Sequence, residues 1–117
     1  MNINILNIDD NPINTLDSFF DNPSNLAKAT PEMWYKYLKR SGCDPKPLRK
    51  GSIGAVEFEK GGGYKVNWNG DKMLQYHPPG RNHHGGSAYY KLSSGASGTM
   101  RFNLKGEPLP REKVKDE

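Results

Sequence analysis

The spacing of apolar positions changes near the middle of the chain. Up to residue 42 the large apolar residues Leu16, Phe19, Phe20, Leu26, Trp34, Tyr37 and Leu38 read as helical. Beyond Tyr64, short runs of β-formers alternate with polar residues, the pattern of strands with one covered face. Three helix starts carry the same mark, a capping residue followed by proline, at Asn11-Pro12, Asn22-Pro23 and Thr30-Pro31. The cap side chain accepts from an orphan amide of the first turn, and proline at the first helical position loses no hydrogen bond. The third helix gathers Trp34, Tyr37, Leu38 and Met33 on one side. Lys36, Lys39 and Arg40 fall towards the other side or the C-terminal end, and Gly42 supplies the stop.

From Asp44 to Lys50 two prolines predict an extended, basic connection; Ile53–Phe58 reads as a short strand and Gly61–Gly63 as a flexible join. Asn69-Gly70 between Tyr64–Trp68 and Asp71–His77 predicts a β-hairpin. A two-residue loop sets Trp68 opposite Asp71, Val66 opposite Met73 and Tyr64 opposite Gln75, so that His77 continues the Val66/Met73 face. A second hairpin joins Ala88–Leu92 to Thr99–Leu104 through Ser93–Gly98. Its register places Leu92 opposite Met100 and Tyr90 opposite Phe102 on the apolar face, and gathers Tyr89, Lys91, Ser93, Thr99, Arg101 and Asn103 on the other. The expected fold class is α+β, with N-terminal helices packed on a twisted antiparallel sheet.

The length of 117 residues suits one domain with one modest core. The 17 Lys and Arg against 13 Asp and Glu favour an anionic partner such as nucleic acid or an acidic protein. A single cysteine, Cys43, makes an internal disulfide impossible. No apolar run is long enough to span a membrane, and the N-terminus lacks the basic flank and cleavage site of a signal peptide. The tail from Lys105 has no apolar pattern and is expected to be mobile.

All three histidines fall within His77–Gly86, too rich in proline and glycine for regular structure. Cleaving RNA without metal needs a base for the ribose 2′-hydroxyl, an acid for the leaving 5′-oxygen, and cations or donors for the phosphorane. His77 and one of His83 or His84 fit the proton-transfer roles, Lys91 and Arg101 fit the phosphate, and Thr99, Ser93 or Ser94 could donate to a phosphate oxygen. Tyr89 or Tyr90 could stack on a base or orient a histidine. Lys46, Arg49 and Lys50 could form a phosphate-contacting rim. Three histidines could also hold a metal, but adjacent histidines diverge along an extended chain and only Asp71 lies near in sequence. A serine nucleophile is disfavoured, because neither Ser93 nor Ser94 sits in a nucleophile elbow.

Taken together, Tyr64-Lys-Val-Asn-Trp68, Leu74-Gln-Tyr-His-Pro78, His83-His-Gly-Gly86, Ala88-Tyr-Tyr-Lys91 and Ser93-Ser-Gly95 to Gly98-Thr-Met-Arg101 resemble a C-terminal toxin domain of bacterial polymorphic toxins. Asn22–Leu26 and Trp34–Leu38 extend the resemblance, which covers most of residues 22–107. Such domains end contact-dependent growth inhibition proteins or secreted Gram-positive toxins and look like members of the barnase/EndoU/colicin/RelE-type ribonuclease group. The resemblance implies an antibacterial endoribonuclease that needs no metal or other cofactor and has tRNA as a target. It leaves a 2′,3′-cyclic phosphate and a 5′-hydroxyl, and a cognate immunity protein neutralises it. It also implies delivery as part of a larger secreted or surface toxin, with action in the target-cell cytoplasm. Carried onto this chain it points to His77, His84, Lys91, Thr99 and Arg101 as catalytic, and to His83 and Tyr90 as RNA contacts beside Lys46, Arg49 and Lys50. Residues 1–21 then read as a variable lead to the delivery protein and 108–117 as a charged tail. The alternatives are a non-catalytic RNA-binding domain and a metal-dependent DNase.

Overall fold

The computed structural model describes residues 11–48, 54–80 and 86–110. All three proline-marked starts form. Asn11 accepts from the Ile13 amide (2.9 Å) at the head of α1, Pro12–Asp21, and Asn22 accepts from Ser24 (3.3 Å) to open a 3-10 helix, Pro23–Lys28. Thr30 accepts from Met33 (3.1 Å) at the head of α2, Pro31–Arg40. Gly42, at φ 88°, ends α2 in a left-handed turn, with the Cys43 amide donating to the Leu38 carbonyl and the Gly42 amide to that of Lys39.

The sheet has five antiparallel strands in sequential order: β1, Lys46–Pro47; β2, Tyr64–Trp68; β3, Lys72–His77; β4, Tyr89–Ser94; β5, Gly98–Phe102. Helices followed by an antiparallel sheet make the fold α+β. One face of the sheet meets the helices. On it Tyr64, Tyr76, Tyr90 and Phe102 stand in register across four strands, with Val66, Leu74 and Leu92 in the next row. Against them pack Leu16, Phe19, Leu26, Trp34, Tyr35, Tyr37 and Leu38. Polar atoms carried inward are satisfied across the layers. The Trp68 indole and the Lys72 ammonium both donate to Asp17 of α1 (2.9 Å each), and the Tyr64 hydroxyl donates to the Pro31 carbonyl (2.8 Å).

The first hairpin forms in a different register from the one its Asn-Gly pair predicts. Trp68 pairs with Lys72, Val66 with Leu74 and Tyr64 with Tyr76, so the loop is Asn69-Gly70-Asp71. The reason is burial. A two-residue loop would turn Gln75 and His77 into the core and expose Leu74 and Tyr76; the extra residue reverses this, at about 2 kcal/mol or more for each large apolar side chain covered. His77 therefore lies on the opposite face from Val66. The second hairpin has the expected register, including Leu92 with Met100, Tyr90 with Phe102 and Lys91 with Arg101.

Other segments also differ. The extended Lys46-Pro47 becomes the edge strand β1, whereas Val56–Glu57 is not a strand and Phe58–Lys60 is a single 3-10 turn; Ile53 lies outside the described residues. Gly62 and Gly63 are buried, not a loose join: a Cβ on Gly63 would run into the Tyr76 carbonyl and the Leu48 side chain, and one on Gly62 into the Val56 carbonyl. α1 places Leu16 and Phe19 in the core, as the apolar positions of a packed helical layer predict, so the packed unit includes residues 12–21 of the stretch that the resemblance reads as a lead. Pro108 bridges to Phe102 and the Leu109 amide donates to the Arg101 carbonyl (2.9 Å), tying the start of the tail to β5.

Candidate active site

The face of the sheet turned away from the helices carries the polar chemistry. In antiparallel pairing, residues directly opposite one another project to the same side. The registers therefore draw one row across all five strands: Lys46, Lys65, Gln75, Lys91, Arg101. On one flank His77 stands opposite Tyr89, and on the other run Asn67, Met73, Ser93 and Thr99. Apart from Tyr89, these residues are half-buried or exposed. Four cations thus share a face with a histidine and two hydroxyls.

His77 is held on two sides. Its ring stacks on Tyr89, with centroids 4.5 Å apart and planes 5° from parallel, and Tyr89 is itself 1% exposed, a firm floor. Its Nε2 lies 2.7 Å from Gln75 Oε1, while the Gln75 amide nitrogen donates to the sulfur of Met73 (3.0 Å). With its NH2 turned to Met73, Gln75 presents its acceptor to the histidine. In neutral His77 the proton then sits on Nε2 and the basic lone pair on Nδ1. Gln75 and Met73 reach this face because they alternate with Leu74 and Tyr76, which are drawn into the core.

Lys91 and Arg101 are directly opposed, a spacing of about 5 Å between Cβ atoms. Beside them, Thr99 faces Ser93. A phosphate over this part of the sheet would meet two cations and two hydroxyl donors within the reach of their side chains. Behind the hydroxyls, the Asp71 carboxylate accepts from the Gly95 amide (2.6 Å), joining the tips of the two hairpins.

The structure places His77, Lys91, Thr99 and Arg101 on one face, with His77 on one flank of the Lys91/Arg101 pair and Thr99 on the other. It removes Tyr90 from the RNA-contacting set: Tyr90 is fully buried on the helix-facing side, 5.8 Å from the Tyr76 ring, and burial, followed by the influence of Tyr76, raises its hydroxyl pKa far above neutrality. Tyr90 is a core residue and transfers no proton near pH 7. Lys46 lies at the far edge of the sheet, bonded to Asp44 at 2.8 Å. His83, His84, Arg49 and Lys50 lie outside the described residues. Lys65 and Gln75 are additions. Both were hidden by the one-residue slip in the first hairpin, since only the three-residue loop aligns them with Lys91.

Among the described residues no cluster of three His, Cys, Asp or Glu side chains is placed to hold a metal ion, and no helix is long and apolar enough to cross a membrane. Comparison with protein-family models, curated proteins and solved structures gives no match.

Proposed function

We propose that this chain is an endoribonuclease of the barnase/EndoU/colicin/RelE-like group, acting as an antibacterial toxin domain. The observation that carries the reading is the clamped His77 beside the Lys91/Arg101 pair on the open face of the sheet. A scissile phosphate held by Lys91 and Arg101 would have His77 on one flank, and Thr99 and Ser93 on the other as donors to the RNA backbone. In cleavage, a base takes the 2′-hydroxyl proton and the 2′-oxygen attacks phosphorus. The bond to the 5′-oxygen breaks, and an acid returns a proton to that oxygen. The products are a 2′,3′-cyclic phosphate and a 5′-hydroxyl, with no metal or cofactor consumed.

His77 supplies one of the two proton transfers. His84, or His83, is proposed for the other. The cations act most strongly on the phosphorane, where charge accumulates. tRNA is the proposed target. The larger toxin is secreted or displayed at the cell surface and delivers this domain to the target-cell cytoplasm. A cognate immunity protein neutralises it there; an acidic inhibitor on the cationic face would associate quickly and in a salt-sensitive manner.

Substituting His77→Ala separates this reading from a non-catalytic RNA-binding domain. The expected result is a loss of cleavage of about 10²–10⁴-fold, with RNA affinity held within a few-fold. Equal loss of affinity and cleavage, or undiminished cleavage, would count against it.

A further inference from the structure

The cationic row continues well past the proposed catalytic centre. From Arg101 to Lys46 it crosses four inter-strand gaps, about 19 Å at the usual strand spacing. Lys91 and Arg101 are neighbours and can converge on one phosphate. Lys65 is two strands from Lys91, about 10 Å away, and Gln75 occupies the place between them. The Gln75 side chain is turned along its own strand, one end on His77 and the other on Met73, so it partitions the row. Among the described residues Lys65 makes no ion pair, while the Lys46 charge is offset by Asp44.

The geometry points to Lys65 as a second phosphate subsite, on the β1 side of the catalytic centre, for a single-stranded RNA that lies across the strands. The inference rests on the ribonuclease reading of the same face. A single strand is required by the chemistry: the 2′-oxygen, phosphorus and 5′-oxygen must come into line, and a paired backbone is held away from that arrangement. A five-stranded face with a polar row down its middle also suits an extended strand whose phosphates are read one after another. Lys91 and Arg101 take the scissile phosphate, Lys65 takes a neighbouring one, and Lys46 contributes weakly at the edge.

The test measures binding of a fluorescein-labelled RNA hexanucleotide of mixed sequence to the full chain carrying His77→Ala, as a function of salt. Each phosphate neutralised on a single strand contributes about 0.7 to the slope of log affinity against log salt, about five-fold between 1 M and 0.1 M salt. Adding Lys65→Ala is expected to make this negative slope shallower by about 0.7, and Lys65→Arg to restore it. Lys36→Ala, on α2 behind the sheet, is expected to leave the slope as it was. In the cleaving chain, Lys65→Ala is expected to lower the preference for hexanucleotide over dinucleotide about five-fold in kcat/KM. An unchanged slope with Lys65→Ala, or an equal change with Lys36→Ala, overturns the subsite. Cleavage by the unsubstituted chain is scored separately: its absence overturns the ribonuclease reading, while the slope still decides whether Lys65 holds a phosphate.

Discussion

At the scale of single residues, the account depends on how His77 is oriented. Gln75 fixes the tautomer through a neutral acceptor, so changing that acceptor changes the titration of His77 in a known direction. With Gln75→Glu, a carboxylate beside the ring favours the imidazolium. The limb of the pH–rate profile that belongs to His77 is expected to move to higher pH: the acid limb if His77 is the base, the alkaline limb if it is the acid. A profile that does not move would mean that His77 is not titrating in the reaction. Much of this was legible in the sequence, because the second hairpin's alternation sets Lys91, Thr99 and Arg101 on one face. The same alternation places Tyr90 beside Phe102 on the covered face, so assigning Tyr90 to RNA conflicted with the chain's own periodicity. An aromatic ring that can stack on a base is no guide to which way it points.

At the scale of elements, the decisive competition is between turn chemistry and burial in the first hairpin. Asn69-Gly70 favours a two-residue loop, but Leu74 and Tyr76 must be covered and Gln75 and His77 need not be. Burial wins, and the slip of one residue decides which side chains reach the site. The alternation of Leu74, Gln75, Tyr76 and His77 contained this answer. The close approach at Gly63 was not legible, because nothing local announces that the Tyr76 carbonyl will lie against it. Gly63→Ala is expected to destabilise the fold by about 1–3 kcal/mol, read by urea denaturation, since backbone must shift to admit the methyl group. The helix caps were legible because their signals are local. Thr30→Ala is expected to cost about 1 kcal/mol in the same measurement through loss of the bond to the Met33 amide.

At the scale of the whole molecule, a helical layer covers one face of a sheet and leaves the polar row on the other. Asp17 is one of the joints between the layers. Its pKa is lowered, first by the Trp68 indole N–H and then by Lys72, so its bonds stabilise the fold when it is ionised. That stabilisation is fully present above the ordinary value of 3.8 and is lost as pH falls through the lower folded-state value. The advantage of the parent chain over Asp17→Asn, about 1 kcal/mol at pH 7 for a side chain about one-third exposed, is expected to shrink below about pH 4. A constant difference across that range would assign the effect to packing. The two-layer plan, α1 included, follows from the change of apolar period near residue 42 and from Leu16 and Phe19, although the motif resemblance begins only at Asn22.

The central claim is that this face cleaves RNA by proton transfer without a metal. It is tested most directly by incubating the purified protein with total bacterial RNA in EDTA and determining the 3′-end chemistry of any fragments. The account predicts discrete tRNA fragments ending in a 2′,3′-cyclic phosphate. RNA that stays intact in EDTA and is cut only when a divalent metal is restored would contradict it.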